Sequence, residues 1–206
     1  MSFLDKEKED ILIDLNTMTS KEFYEEYVMC TRIWYFESVL LQNEVKEVDD
    51  FKKIISEEFK IERSESHLVG SGKLGFSLAP HKKFKSFKLE ESEDQELSDL
   101  DIAIISPELF KVTWECLKEY KYEQIISEYK ALSSSVFRGF INDKNLFQQL
   151  GLNAKAIDRI DKCSIRLRDH FNIIHPINYR IYNSWRDLEL YTLSGIERCK
   201  GGSCKK

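Results

Sequence analysis

The sequence predicts a mixed α/β fold, and three observations carry that expectation. Short apolar runs of strand length occur at 67–69, 100–105 and 173–182. Longer segments between and around them repeat apolar residues at helical spacing. Turn and capping residues (Gly70, Gly72 and Gly75, then Pro107, then Ser184) fall at the joints.

The N-terminal third reads as helical. Thr19-Ser20-Lys21-Glu22 has the form of a capping box, and Phe23, Tyr27, Cys30, Trp34 and Leu41 then share one helical stripe. Asp49 or Asp50 is placed to cap a shorter helix carrying Phe51, Ile54, Ile55 and Phe59. Residues 67–69 predict a short strand that runs directly into the glycine turn. Composition then shifts twice. Residues 81–88 (His81-Lys82-Lys83-Phe84-Lys85-Ser86-Phe87-Lys88) are basic with interleaved aromatics, and residues 90–96 are acidic. Together they predict a mobile loop or a hairpin with a charged tip.

Residues 100–105 form the strongest strand signal. Pro107 suits a first helical turn, and 109–132 reads as one long helix. Phe137-Arg138-Gly139-Phe140 breaks that pattern, and 153–171 returns to helix. Residues 173–182 read as a strand that Pro176 restricts to an edge or to entry from a loop. Ser184-Trp185-Arg186-Asp187 caps a final helix to about Cys199, which Gly201 and Gly202 end. Trp34, Trp114 and Trp185 are expected in the core.

Composition narrows the classes. A chain of 206 residues with 42% hydrophobic residues has the length and apolar content for one domain, 1–206, with a core. Its expected parts are a helical region at 1–60, a core at 61–185 and a closing helix and tail at 186–206. A net charge of −5 argues against a protein that coats nucleic acid. No apolar run approaches the ~18 residues of a membrane span. The first ten residues are charged and lack an apolar signal core, so a cytoplasmic location without membrane insertion is expected. Five scattered cysteines without a C-x-x-C pair read as reduced thiols, neither a disulfide framework nor a zinc site.

Two motifs carry the chemistry. The first is Leu68-Val69-Gly70-Ser71-Gly72-Lys73-Leu74-Gly75, an apolar run ending in a glycine-rich turn with a hydroxyl. It matches the letters of the dinucleotide fingerprint, but Phe76-Ser77-Leu78-Ala79-Pro80 does not continue as the required helix. The kinase glycine loop lacks its companion motifs. A Walker A loop needs glycine at His67 and Ser or Thr at Leu74. The second motif, Ser98-Asp99-Leu100-Asp101-Ile102-Ala103-Ile104-Ile105, sets two carboxylates one residue apart at the start of a strand, hence on one side of it. Paired carboxylates repel unless a divalent cation lies between them, and hard oxygen ligands suit Mg²⁺.

The combined pattern, apolar-Gly-Ser followed by Ser-Asp-apolar-Asp-apolar, resembles the nucleotidyltransferase superfamily of DNA polymerase β-like fold. The resemblance spans about residues 66–110 and, more loosely, the strand near 178. It implies a mixed sheet flanked by helices, here with extra N- and C-terminal helices. It implies that Gly70 and Ser71 hold a triphosphate, with Lys73 reaching a phosphate, and that Asp99 and Asp101 are catalytic and bind two Mg²⁺ ions, for which Mn²⁺ can substitute. The spacing from Ser71 to Asp99 exceeds the usual one, because the charged insert lies inside it. The third carboxylate of the family has no counterpart on the strand at 173–182, which offers Asn178. Asp143, Asp158, Asp161 and Asp169 remain as downstream alternatives.

Lys82, Lys83, Lys85 and Lys88 are expected to track a phosphodiester strand while Phe84 and Phe87 stack on bases. Arg138 and Arg180 are candidates for phosphate or base contacts. Within the superfamily, the size and turn resemble the stand-alone enzymes of bacterial antiphage defence, the Hailong type. That resemblance implies template-independent synthesis of a short DNA oligomer read by a partner effector protein, with Tyr191 as the late tyrosine that would prime it. A nucleotidyltransferase that adenylylates a partner protein is an alternative. A catalytically inactive nucleotide-binding module is another.

Overall fold

The computed structural model describes residues 2–41, 45–91, 96–123, 129–143 and 155–200. Among the described residues, helices, a two-stranded hairpin and a four-stranded mixed sheet make up the fold, so the mixed α/β expectation holds at that level. The chain forms two compact units. The first comprises Met1–Asp49, Leu68–Asp101 and Glu189–Lys206, and the second comprises Asp50–His67 and Ile102–Leu188.

The first unit opens with a two-residue hairpin, β1 (Ser2–Phe3) and β2 (Lys6–Glu7). Helix α1 (Lys8–Thr17) buries Ile11 and Leu15. The capping box at Thr19 and Glu22 forms as expected and starts α2 (Ser20–Phe23), which runs into a π-turn at Tyr24–Val28. The expected single helix then breaks, and α3 (Trp34–Ser38) starts afresh after an extended Ile33. The cause is local. The carbonyls of Cys30 and Arg32, which a continuous helix would use for its own ladder, accept from the Lys73 ammonium instead. Phe36 N donates to Ile33 O, three residues back. Leu41 leaves the buried stripe and is exposed.

Helix α4 (Val45–Phe59) begins before Asp49 and Asp50, which sit inside it rather than at its cap. Its anticipated apolar face, Phe51, Ile54, Ile55 and Phe59, is buried. Strand β3 (Ser66–Val69) leads into α5 (Ser71–Leu74). Strand β4 (Leu100–Ile105) is followed by α6 (Pro107–Glu123) and α7 (Tyr129–Phe137), and residues 124–128 of the expected single helix lie outside the described residues. Strand β5 (Phe140–Asn142) was not foreseen, because three residues give no readable alternation. The chain continues with α8 (Lys155–Phe171), β6 (Ile177–Tyr182) and α9 (Trp185–Lys200). The expected stop at Gly201 and Gly202 lies outside the described residues.

The sheet order is β3-β4-β6-β5. Ile102 to Ile105 are all buried, as a strand covered on both faces requires. Strand β6 is interior, not at an edge. Pro176 stays just outside it, so every residue of the strand keeps its N–H. Strands β5 and β6 pair antiparallel, with Phe140 opposite Tyr182 and Asn142 opposite Arg180. In the second unit, Ile160, Cys163, Leu167 and Phe171 form the buried stripe of α8. Phe171 meets Phe51, and Tyr179 meets Phe59. Burial pushes the Cys163 thiol up to about 12. Of the three tryptophans, Trp34 is buried, Trp114 is half-buried and Trp185 is 37% exposed, lying edge-on to His67. No helix among the described residues is long and apolar enough to cross a membrane.

Candidate active site in the first unit

The site begins where β3 ends. Gly70 has φ 70° and ψ −150°, a conformation open in practice only to glycine. An added Cβ would also lie 2.8 Å from Asp101 Oδ2, so the turn backbone rests against the second aspartate. Ser71 opens the single turn of α5, closed by Gly75 N donating to Ser71 O at 2.8 Å. Gly75 is left-handed (φ 84°), with the Trp34 ring 2.9 Å from where its Cβ would stand.

The insert folds back as a hairpin. Phe76 pairs with Ser86, Ser77 N donates to Lys85 O (2.9 Å), and Phe87 N donates to Gly75 O (2.7 Å). At its far end Lys88 N donates to Ser98 Oγ (2.9 Å), and Ser98 N donates to Lys88 O (3.3 Å). Ser98 thus fixes the insert against the start of the aspartate strand. Phe87 is 4% exposed, with its ring 5.4 Å from Trp34 and 5.6 Å from Tyr35. The resulting cleft has a volume of about 400 Å³ and is lined by Ser71, Ser77, Lys82, Lys85, Ser86, Lys88, Glu96, Leu97, Ser98, Asp99 and Asp101. Asp99 and Asp101 are half-buried. Partial burial and the neighbouring Lys85 ammonium hold Lys88 below the ordinary lysine pKa.

Of the residues singled out from the sequence, Ser71, Lys82, Lys85, Asp99 and Asp101 therefore share one cleft, and Gly70 abuts it. Others require correction. Lys73 is 1% exposed, its Nζ donates to Cys30 O (2.6 Å) and Arg32 O, and it lies 5.8 Å from the Phe3 ring centroid. Its ammonium is a structural tie, which removes it from the phosphate role. Phe87 is a core anchor, which removes it from base stacking, and Phe84 is half-buried with its ring edge-on to Phe76 at 6.4 Å. Lys83 is exposed with φ 47° and does not line the cleft. Tyr191 is half-buried on α9 and does not line it either. Arg138 and Arg180 belong to the second unit, at the end of α7 and on β6.

Among the downstream carboxylates, Asp143 is buried and accepts from Tyr179 N at 2.8 Å, while Asp158, Asp161 and Asp169 are exposed on α8. Sequence reasoning passed over Ser77, Ser86 and Glu96. The pairings of Phe76 with Ser86, Ser77 with Lys85 and Lys88 with Ser98 bring this segment together at the cleft, and nothing in the spacing announces them.

Asp99, Asp101 and Ser71 are half-buried and line one cleft, and every polar group their side chains bring is an oxygen. That chemistry fits Mg²⁺ or Mn²⁺. A larger concavity of about 530 Å³ in the second unit is lined by residues including Asp50, Lys53, Arg166 and His170. Its guanidinium is already engaged, Arg166 bonding Glu57 at 2.7 Å and Glu58 at 2.6 Å, which makes it the weaker candidate. No protein-family model, curated protein or solved structure matches the chain.

Proposed function

We propose that this protein is a Mg²⁺-dependent nucleotidyltransferase with a polymerase β-like core. It transfers an NMP or dNMP from a nucleoside triphosphate to a hydroxyl and releases pyrophosphate. The observation that carries this reading is the packing of the Gly70 turn against the Asp101 carboxylate, in one cleft with Ser71, Asp99 and three lysines. The adjacency of β3 and β4 in the sheet supports it, because neighbouring strands deliver the turn and the aspartates to the same end.

The chemistry is in-line. The acceptor oxygen bonds to the α-phosphorus, the bond from that phosphorus to the bridging oxygen breaks and releases pyrophosphate, and the hydroxyl proton passes to solvent water. Asp99 and Asp101 hold Mg²⁺, which when bound lowers the pKa of the attacking hydroxyl and neutralises the leaving group. The Ser71 hydroxyl and the turn backbone orient the triphosphate.

The product is a short template-independent oligonucleotide acting in antiphage defence. That part of the proposal rests on the sequence resemblance. The test is incubation with Mg²⁺ and each of the eight labelled NTPs and dNTPs, beside Asp99→Asn/Asp101→Asn, resolved on a denaturing gel. A ladder lost in the double variant supports oligonucleotide synthesis. Label fixed to a polypeptide instead supports modification of a protein. No labelled product from any nucleotide, with candidate acceptor proteins also supplied, overturns the reading.

A further inference from the structure

We propose that Lys82, Lys85 and Lys88 form a polyphosphate subsite, which takes the β- and γ-phosphates of a nucleoside triphosphate and not the backbone of an oligonucleotide. The word nucleoside rests on the function proposed above. The polyanion site itself rests on the cleft.

Lys82, Lys85 and Lys88 line a single cleft with Ser71, Ser77 and Ser86. The backbone builds this wall. Lys85 N donates to Lys82 O (2.9 Å), Ser77 N donates to Lys85 O (2.9 Å), and Lys88 is fixed through both of its bonds to Ser98. Gathering like charges costs free energy; Lys88 is held below the ordinary lysine pKa first by partial desolvation and then by the neighbouring Lys85 charge. A compact anion with several charges relieves it at once.

An extended strand would need exposed rings beside the lysines for its bases. Neither ring of this segment stands fully exposed. Phe87 is buried against Trp34 and Tyr35, Phe84 packs on Phe76, and the Phe84 carbonyl accepts from Lys8 Nζ at 2.7 Å. Glu96, Asp99 and Asp101 share the cleft and repel a bare polyanion. Binding is therefore expected to strengthen when a divalent cation offsets the carboxylates.

The probe is inorganic tripolyphosphate, titrated calorimetrically into the full chain with Mg²⁺. The proteins are wild type, Lys85→Ala/Lys88→Ala, and Lys85→Arg/Lys88→Arg, with a single-stranded DNA decamer as a second ligand. Wild type should bind tripolyphosphate saturably, the alanine pair at least about tenfold more weakly, and the charge-keeping arginine pair close to wild type. No binding to wild type, or equal binding to the alanine pair, overturns the proposal. So does a loss confined to the decamer, which would restore the phosphodiester track. Failure of the nucleotidyl-transfer assay leaves a positive tripolyphosphate result standing. Conversely, transfer with an unchanged KM in the alanine pair refutes the subsite and spares the enzyme.

Discussion

Lys73→Met separates the structural role of this lysine from the phosphate role that its motif suggests. In the fold, Nζ donates to two backbone carbonyls that have left the helical ladder, Cys30 O at 2.6 Å and Arg32 O. Methionine has a similar reach and no donor, so Cys30 O loses this donor and Arg32 O is left with the Cys30 Sγ contact at 3.5 Å. A hydrogen bond involving a charged group contributes about 1.5–3 kcal/mol. Relief from burying an ammonium offsets part of the loss. The net destabilisation is about 3 kcal/mol, for two bonds at the lower figure. At ~2–4 °C per kcal/mol for a chain of this size, Tm falls by about 6–12 °C. The assay is thermal unfolding followed by circular dichroism, beside tripolyphosphate titration at a temperature where the variant is folded. The expected result is a large fall in Tm with affinity unchanged. An unchanged Tm with affinity lowered about tenfold, the value of one lost charged contact, would refute the structural assignment.

Gly70→Ala forces a Cβ into a backbone region reserved for glycine, at a cost of about 1–3 kcal/mol. It also presses on Asp101 Oδ2. Tm should fall by several degrees and nucleotidyl transfer by about 100-fold, since displacing a reacting group by about an ångström has that effect. Normal activity would show that the turn does not position Asp101. A third prediction concerns acid. Hydrogen bonds from Lys6 (2.7 Å) and Tyr27 hold the Asp14 carboxyl below its ordinary value of 3.8. Its folded pKa is depressed, so its contribution is present above pH ~4 and is lost as pH falls through the folded value. Asp14→Asn should cost about 0.5–1 kcal/mol at pH 7 and flatten the fall of Tm below about pH 4, the cluster being partly exposed. Equal slopes in the two proteins would show that the cluster adds nothing to acid stability.

Much of the fold follows from local signals. The capping box at Thr19, the strand at 100–105, Pro107 at a helix start and the apolar stripe of α8 all express short-range chemistry that side-chain period and capping reveal. The breaks are non-local. Nothing near Cys30 shows that Lys73, more than forty residues on, takes its carbonyl and stops the helix. The same holds at the cleft. Gly70, Ser71, Asp99 and Asp101 are readable as motifs, but the partner of Lys88 is Ser98, across a charged insert. That pairing turns a loop that reads as a nucleic-acid track into one wall of the site. Lys73 misleads because spacing places it on a turn and cannot say which way its side chain points.

The most direct measurement is phosphorus NMR of the reaction with Mg²⁺ and the preferred nucleoside triphosphate. Attack at the α-phosphorus predicts inorganic pyrophosphate in step with nucleotide consumed, abolished by Asp99→Asn/Asp101→Asn. Orthophosphate in its place, or turnover that survives loss of both carboxylates, would contradict nucleotidyl transfer at this cleft.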